Sequence, residues 1–218
     1  MSAAPLAAAT APVTFTVGSP LDLTSPDCNV VATCSLREAV RRAKLLNNNS
    51  VVQLQAMTYT LTIAPGVVDD NSGGDLEIFA SMTIQGAGAG QSIVTAGSAW
   101  NDRIMEVDNG GLSPVVTIQD LTVTGGNTQQ TEGDGGGILN DNSTLTLHNV
   151  VVDRNTAATN GPLFNGGGIA SEAGSTLTMT NSTISNNNAF ANGGGLVPSR
   201  PGQRRQQLLQ PTRHRQHG

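Results

Sequence analysis

Residues 144–157 read TLTLHNVVVDRNTA, and their pattern decides the fold. Leu145 and Leu147, then Val150 and Val152, alternate with their neighbours, which is the period of a strand with one buried face. The alternation changes phase at Asn149, where one strand turns into the next. Asn suits such a corner because it tolerates left-handed backbone and hydrogen-bonds its own neighbours, so an Asn at the same corner of successive coils can stack into a ladder.

The same pattern stands upstream in VVTIQDLTVTGGN from Val115 and downstream in TLTMTNSTISNNNA from Thr176. Superimposing Asp120, Asn149 and Asn181 sets the units 29 and 32 residues apart. Between them lies a second motif, Gly135-Gly136-Gly137-Ile138, Gly166-Gly167-Gly168-Ile169 and Gly193-Gly194-Gly195-Leu196, with glycines suited to tight turns or close approach of the next coil. A unit of about three short strands cannot bury its own apolar face, but a stack of units can. The expectation is an all-β fold, a right-handed parallel β-helix. Less regular coils precede the repeats in VVQLQAMTYTLTI from Val51, GDLEIFASMTIQGAG from Gly74 and RIMEVDNGG from Arg103.

One stretch asks for a helix instead. TCSLREAVRR, from Thr33, has Ser35 and Glu38 in the spacing of a capping box. Leu36, Ala39, Val40 and Ala43 form an apolar stripe, with Arg37, Arg41, Arg42 and Lys44 expected to face outward. A β-helix leaves strand edges and apolar interior exposed at its ends, so a helix over about 35–46 is expected to cap the first coil. The single β-helix domain then spans 13–197, after a residual leader or disordered stretch at 1–12.

Composition fits that picture. One Trp, one Tyr and four Phe among 218 residues leave an aliphatic core, and 26 Gly with 12% charged residues describe a turn-rich β protein. The formal net charge of −5 argues against a nucleic-acid partner, and no stretch has the length and apolarity of a membrane span. Cys28 and Cys34 are six positions apart, which fits a local disulfide or a pair of small buried thiols; a disulfide would point to an oxidising compartment.

The CSLREA stretch at 34–39, its preceding Cys28, the YTLTI strand, GDLEI and MTIQGAG together resemble the N-terminal region of bacterial exported proteins named for the CSLREA motif. Their downstream parts are similar to pectate-lyase-like β-helices and to the repeats of polymorphic outer membrane proteins. The resemblance runs from about Val13 to Leu196. It implies a secreted or surface-attached bacterial β-helix, and it carries over no catalytic residue.

After Leu196 the character changes. The segment 198–218 holds five of the eleven Lys and Arg, and both His214 and His217. A basic tail could bind nucleic acid or an anionic surface, but this one reads more simply as an out-of-frame, disordered end to a truncated solenoid. His214 and His217 could share a transition metal only with a third ligand that the sequence does not offer, and a metal-dependent hydrolase would have to rest on them.

Sites for chemistry are sparse. His148 is the only His inside the repeats and is expected on the solvent side beside Gln119 and Thr180. Asp153 and Arg154 end the next strand, where β-helix polysaccharide lyases place a calcium-binding carboxylate and a proton-abstracting base. Glu132 and Asp134 lie in the loop NTQQTEGD, the one insertion with paired carboxylates. Asp69, Asn71, Asp75 and Glu77 alternate around Gly73 as ligands do in calcium loops, which makes calcium the one cofactor with candidate ligands. The outward Thr144, Thr146, Thr176, Thr178 and Thr180 form an array of the kind that binds ice, although Thr also simply favours strands. The leading expectation is therefore non-catalytic binding or adhesion to a glycan or cell surface, with a calcium-dependent lyase or glycosidase as the competing class. Pairing of copies end to end is expected through an uncapped last coil.

Overall fold

In a computed structural model, the chain is described over residues 11–24, 27–66, 71–108, 113–128, 133–157, 165–172, 174–190 and 193–197. The β-helix expectation holds: the described chain is a parallel β-solenoid of about four turns with one short helix near its start. Its largest sheet runs, along one path, through β1 (Thr14–Val17), β2 (Ser50–Leu54), β5 (Met82–Gln85), β8 (Val115–Thr124), β11 (Thr144–Asp153) and β14 (Thr176–Thr180). On the same sheet β3 (Thr58–Leu61) pairs with β6 (Ile93–Ala96), β6 with β8, and β15 (Thr183–Ser185) with β11. The second sheet stacks β4 (Leu76–Ile78), β7 (Met105–Val107), β10 (Ile138–Asn140), β13 (Ile169–Ser171) and β17 (Leu196–Val197). The third is narrow, with β9 (Asn127–Thr128), β12 (Thr156–Ala157) and β16 (Asn188–Ala189).

The repeats align as the corner residues predict, His148 pairing in register with Gln119 on one side and Thr180 on the other. Asp120, Asn149 and Asn181 all adopt positive φ, between 51° and 57°, so β8 and β11 are each one strand bent at its middle. Asn149 Nδ2 donates to Asp120 Oδ1 at 2.7 Å, which is one rung of the expected ladder. A second ladder is absent from the sequence reading. Asn155, fully buried, accepts the Gly126 N–H on Oδ1, while its own N–H and Nδ2 both donate to Asn187 Oδ1. These bonds satisfy corner amides that would otherwise be buried without partners.

The triple glycines follow from contacts. Gly166 sits at φ 68°, and a Cβ on Gly167 would lie 2.0 Å from the Asn188 carbonyl oxygen. The interior is aliphatic, with Ile84, Val116, Ile118, Leu145, Leu147, Val150 and Val152 stacked at zero exposure. In the last described coil Leu177, Met179 and Ile184 are only partly buried, and Phe190 is 62% exposed.

The helix α1 (Leu36–Leu46) packs on β1, β2 and β4. Its stripe of Leu36, Ala39, Val40 and Ala43 is buried, as expected of a cap. Three details differ from expectation. A strand, β1, precedes the helix and forms the first rung of the large sheet. Ser35 Oγ accepts the Glu38 N–H at 3.2 Å, but the Glu38 carboxylate does not complete the box; it pairs with Arg41 at 2.7 Å and Arg42 at 2.8 Å. The third is Arg37, which is buried rather than outward. It makes a two-pronged pair with Asp22, Nε to Oδ1 at 2.6 Å and Nη2 to Oδ2 at 3.0 Å, and donates to the carbonyls of Gly74 and Asp75. An Arg lying off the apolar stripe reads as solvent-facing; here a carboxylate fifteen residues upstream makes burial of the charge affordable. The Cys28–Cys34 disulfide forms and fixes the loop that leads into the helix.

Candidate functional site

Strand alternation gives the large sheet one side facing the core and one facing out, and pairing register stacks the outward residues into columns. One column contains Thr14, Val51, Thr83, Thr117, Thr146 and Thr178. The next, two residues along each strand, contains Thr16, Gln53, Gln85, Gln119, His148 and Thr180. All twelve are partly or fully exposed. With strands ~4.8 Å apart, six strands give columns about 24 Å long, and the two columns stand roughly 7 Å apart. The face ends at the corner marked by Asp120, Asn149 and Asn181. Gln53 Nε2 donates to the main-chain carbonyl of Gln85 at 3.4 Å, so that amide leans along the stack.

His148 lies in this face and is exposed, as expected. The neighbouring candidates have structural roles. Asp153 accepts hydrogen bonds from Asn186 Nδ2 at 2.7 Å and Ser185 Oγ at 2.8 Å, so it clamps the corner of the following coil. The Asn186 and Ser185 bonds, helped by the charge of Arg154, hold its carboxyl below the usual range. Arg154 is exposed at φ 53° with Nε 3.0 Å from Asp153 Oδ2. Asp134 Oδ1 accepts the Asn165 N–H at 2.6 Å, another bond between coils. Glu132, Asp69, His214 and His217 lie outside the described residues, as does the segment 198–218.

The calcium candidates are brought together only in part. Asp75 and Glu77 are buried, and with Glu106 they place one carboxylate oxygen each within 4.8 Å of one another. Glu106 was not legible as a member, because it reaches Glu77 through the register of β7 on β4. That separation fits oxygens on opposite sides of a calcium ion, whose ligands sit at about 2.4 Å. Asn71 takes another role: Nδ2 donates to the Glu77 carbonyl at 2.6 Å and Oδ1 accepts the Glu77 N–H at 2.9 Å. The Arg103 guanidinium reaches the cluster itself, with Nη1 3.4 Å from Asp75 Oδ2 and against Glu106 Oε2. Beside it Asp102 accepts the N–H groups of Asp75 and Arg103. Burial, reinforced by the Asp75 charge, pushes its carboxyl up to about 6. That value would suit a general acid, but the group is 4% exposed and both oxygens face backbone amides. The cluster thus holds the turn into β4, with a guanidinium where a cation would otherwise sit.

No helix among the described residues is long and apolar enough to cross a membrane. No family, curated protein or solved structure matches the chain.

Proposed function

We propose that this protein is a secreted or surface-attached scaffold that binds a glycan or cell surface without chemically changing it. The observation that carries the reading is the outward face of the large sheet, where two columns made mostly of Thr hydroxyls and Gln amides, with Val51 and His148 among them, run in register across six strands. A rigid solenoid supplies such a periodic surface at little cost in ordering on binding. Two further points support the reading. Asp153 and the buried carboxylates Asp75 and Asp102 are engaged in hydrogen bonds and ion pairs that hold corners of the chain. Export is supported by the Cys28–Cys34 disulfide and by the resemblance to CSLREA-motif proteins.

Copies pairing end to end through β14 to β17, where Phe190 and Leu196 are exposed, would lengthen the same face. The test is a co-sedimentation assay with insoluble polysaccharides and bacterial cells, run beside a turnover assay on soluble glycans with and without calcium. Retention on a polymer that is recovered intact is the expected result. Release of reducing or unsaturated ends would replace the scaffold with a lyase or glycosidase.

A further inference from the structure

The glycan reading leaves open which glycans the face can hold, and the chemistry of the face narrows them. Resting on that reading, we infer that the large sheet takes an extended, uncharged polyhydroxylated polymer lying along the stack, and excludes polyanions such as uronate chains.

The first argument is charge. The twelve residues of the two columns include no carboxylate, ammonium or guanidinium, and the one basic side chain among them is the His148 imidazole. A polyanion is recognised by paired Lys and Arg, because desolvating its charges without such partners is strongly unfavourable. The basic groups of the cap helix, Arg41, Arg42 and Lys44, are engaged by Glu38 and by the Phe79 ring, on the element that packs at the β1, β2 and β4 end. The chain as a whole carries −5, which repels a polyanion further. Neutral hydroxyls, in contrast, exchange water for Thr hydroxyls and Gln amides with little net change.

The second argument is direction. Along each strand the face is only a few residues wide before the chain turns at Asp120, Asn149 or Asn181. Along the stack it continues for six strands. A linear polymer gains the most contacts by following the columns. The only ring in the columns is the His148 imidazole, so sugar stacking is available at one position at most. Each Thr or Gln contact is therefore a hydrogen bond whose net gain after exchange with water is small. Binding must then rest on the number of coils engaged, so affinity should climb steeply with ligand length and level off once the chain exceeds about 24 Å, the length of the columns.

The experiment is native affinity electrophoresis in gels cast with hydroxyethyl cellulose, mixed-linkage β-glucan, galactomannan, polygalacturonate or alginate, followed by titration with an oligosaccharide length series of any neutral polymer that retards the protein. The comparison is the double variant Gln85→Glu, Gln119→Glu, which changes two outward side chains by one atom each; circular dichroism confirms its fold. Retardation by a neutral polymer, at least tenfold weaker in the variant and dependent on oligomer length, supports the inference. Retardation by polygalacturonate or alginate alone overturns it and leaves the glycan reading standing, as does neutral binding that the variant does not weaken. No retardation by any of the polymers, with no retention on cells, overturns both. Sedimentation that shows a wild-type dimer dissociated by the double variant assigns the face to a second copy instead.

Discussion

Arg37 Nη1 donates to the main-chain carbonyl of Asp75 at 2.9 Å. Arg37 belongs to the CSLREA stretch and Asp75 to GDLEI, so the two motifs that are most recognisable in the sequence are in direct contact. Nη2 adds the Gly74 carbonyl at 2.6 Å, and Nε and Nη2 also donate to Asp22, whose Oδ2 accepts the N–H groups of Thr62 and Ile63 as well. One buried ion pair thus joins the loop before the helix, the helix, the chain leaving β3 and the chain approaching β4.

Removing the guanidinium should be far more harmful than an exposed arginine would suggest. Arg37→Leu strands the Asp22 carboxylate and two carbonyls, and loss of one partner of a buried pair costs about 3–5 kcal/mol. Arg42→Leu, at a part-exposed position that shares Glu38 with Arg41, should cost well under 1 kcal/mol in rough terms. Thermal unfolding of the two variants checks this; similar melting temperatures would mean that the Arg37 network does not anchor the cap.

Close approach of coils makes a second prediction. A Cβ at Gly167 meets the Asn188 carbonyl oxygen at 2.0 Å, whereas one at Gly90 meets nothing within 4 Å. Gly167→Ala must push two coils apart and should cost roughly 2–4 kcal/mol, while Gly90→Ala should be neutral or stabilise by up to about 1 kcal/mol through the unfolded chain. Chemical denaturation of the pair reads the contrast, and equal effects would contradict this packing of the glycine triads.

Much of this was legible in the sequence, and the part that was not has a common cause. The strand phase on either side of Asn149 and the stripe Leu36, Ala39, Val40, Ala43 are local periodicities, so they survive without knowledge of neighbours. Arg37, Glu106 and Asn155 have partners 37 or 38, 29 and 32 residues away along the chain. Their roles are set by which coil stacks on which, and in the early coils the repeat is too irregular to give that register. For the same reason the outward Thr array was visible only in the last repeats, although its columns extend back to Thr14 and Thr16.

Asp102 gives the fold an unusual response to pH. Its carboxyl is raised to about 6 from 3.8, so between those values the native state holds a proton that the unfolded chain has released. Its contribution is fully present below pH 4 and is lost as pH rises through 6, by up to about 3 kcal/mol for a shift of this size. Glu38 and Asp153 act oppositely. Burial raises the Glu38 carboxyl, but the Arg41 and Arg42 guanidinia outweigh it and hold it low, as Asn186 and Ser185 hold Asp153; both contributions fade as pH falls below about 4. Carboxyl carbon titration by NMR should find Asp102 with a midpoint near 6, and Asp102→Asn should flatten the stability profile between pH 4 and 6 whatever its absolute stability. A midpoint in the ordinary range would remove the argument.

The same neighbourhood decides whether calcium matters. Asp75, Glu77 and Glu106 bring carboxylate oxygens within 4.8 Å of each other, and at an effective dielectric of about 20 two unit charges at that distance repel by about 3 kcal/mol. Arg103, 2% exposed, places Nη1 against two of the three and offsets that repulsion. The intact protein should therefore show the same melting temperature in calcium and in chelator, because an ion would have to displace the guanidinium. Arg103→Met keeps much of the side-chain volume and removes the charge, so its melting temperature should fall and should then recover in part with added calcium, or at a pH low enough to protonate the carboxylates. A rise in the wild-type melting temperature on adding calcium would instead show that the ion and Arg103 occupy the cluster together. A destabilised Arg103→Met that responds to neither calcium nor acid would show that the arginine acts there through packing, not charge.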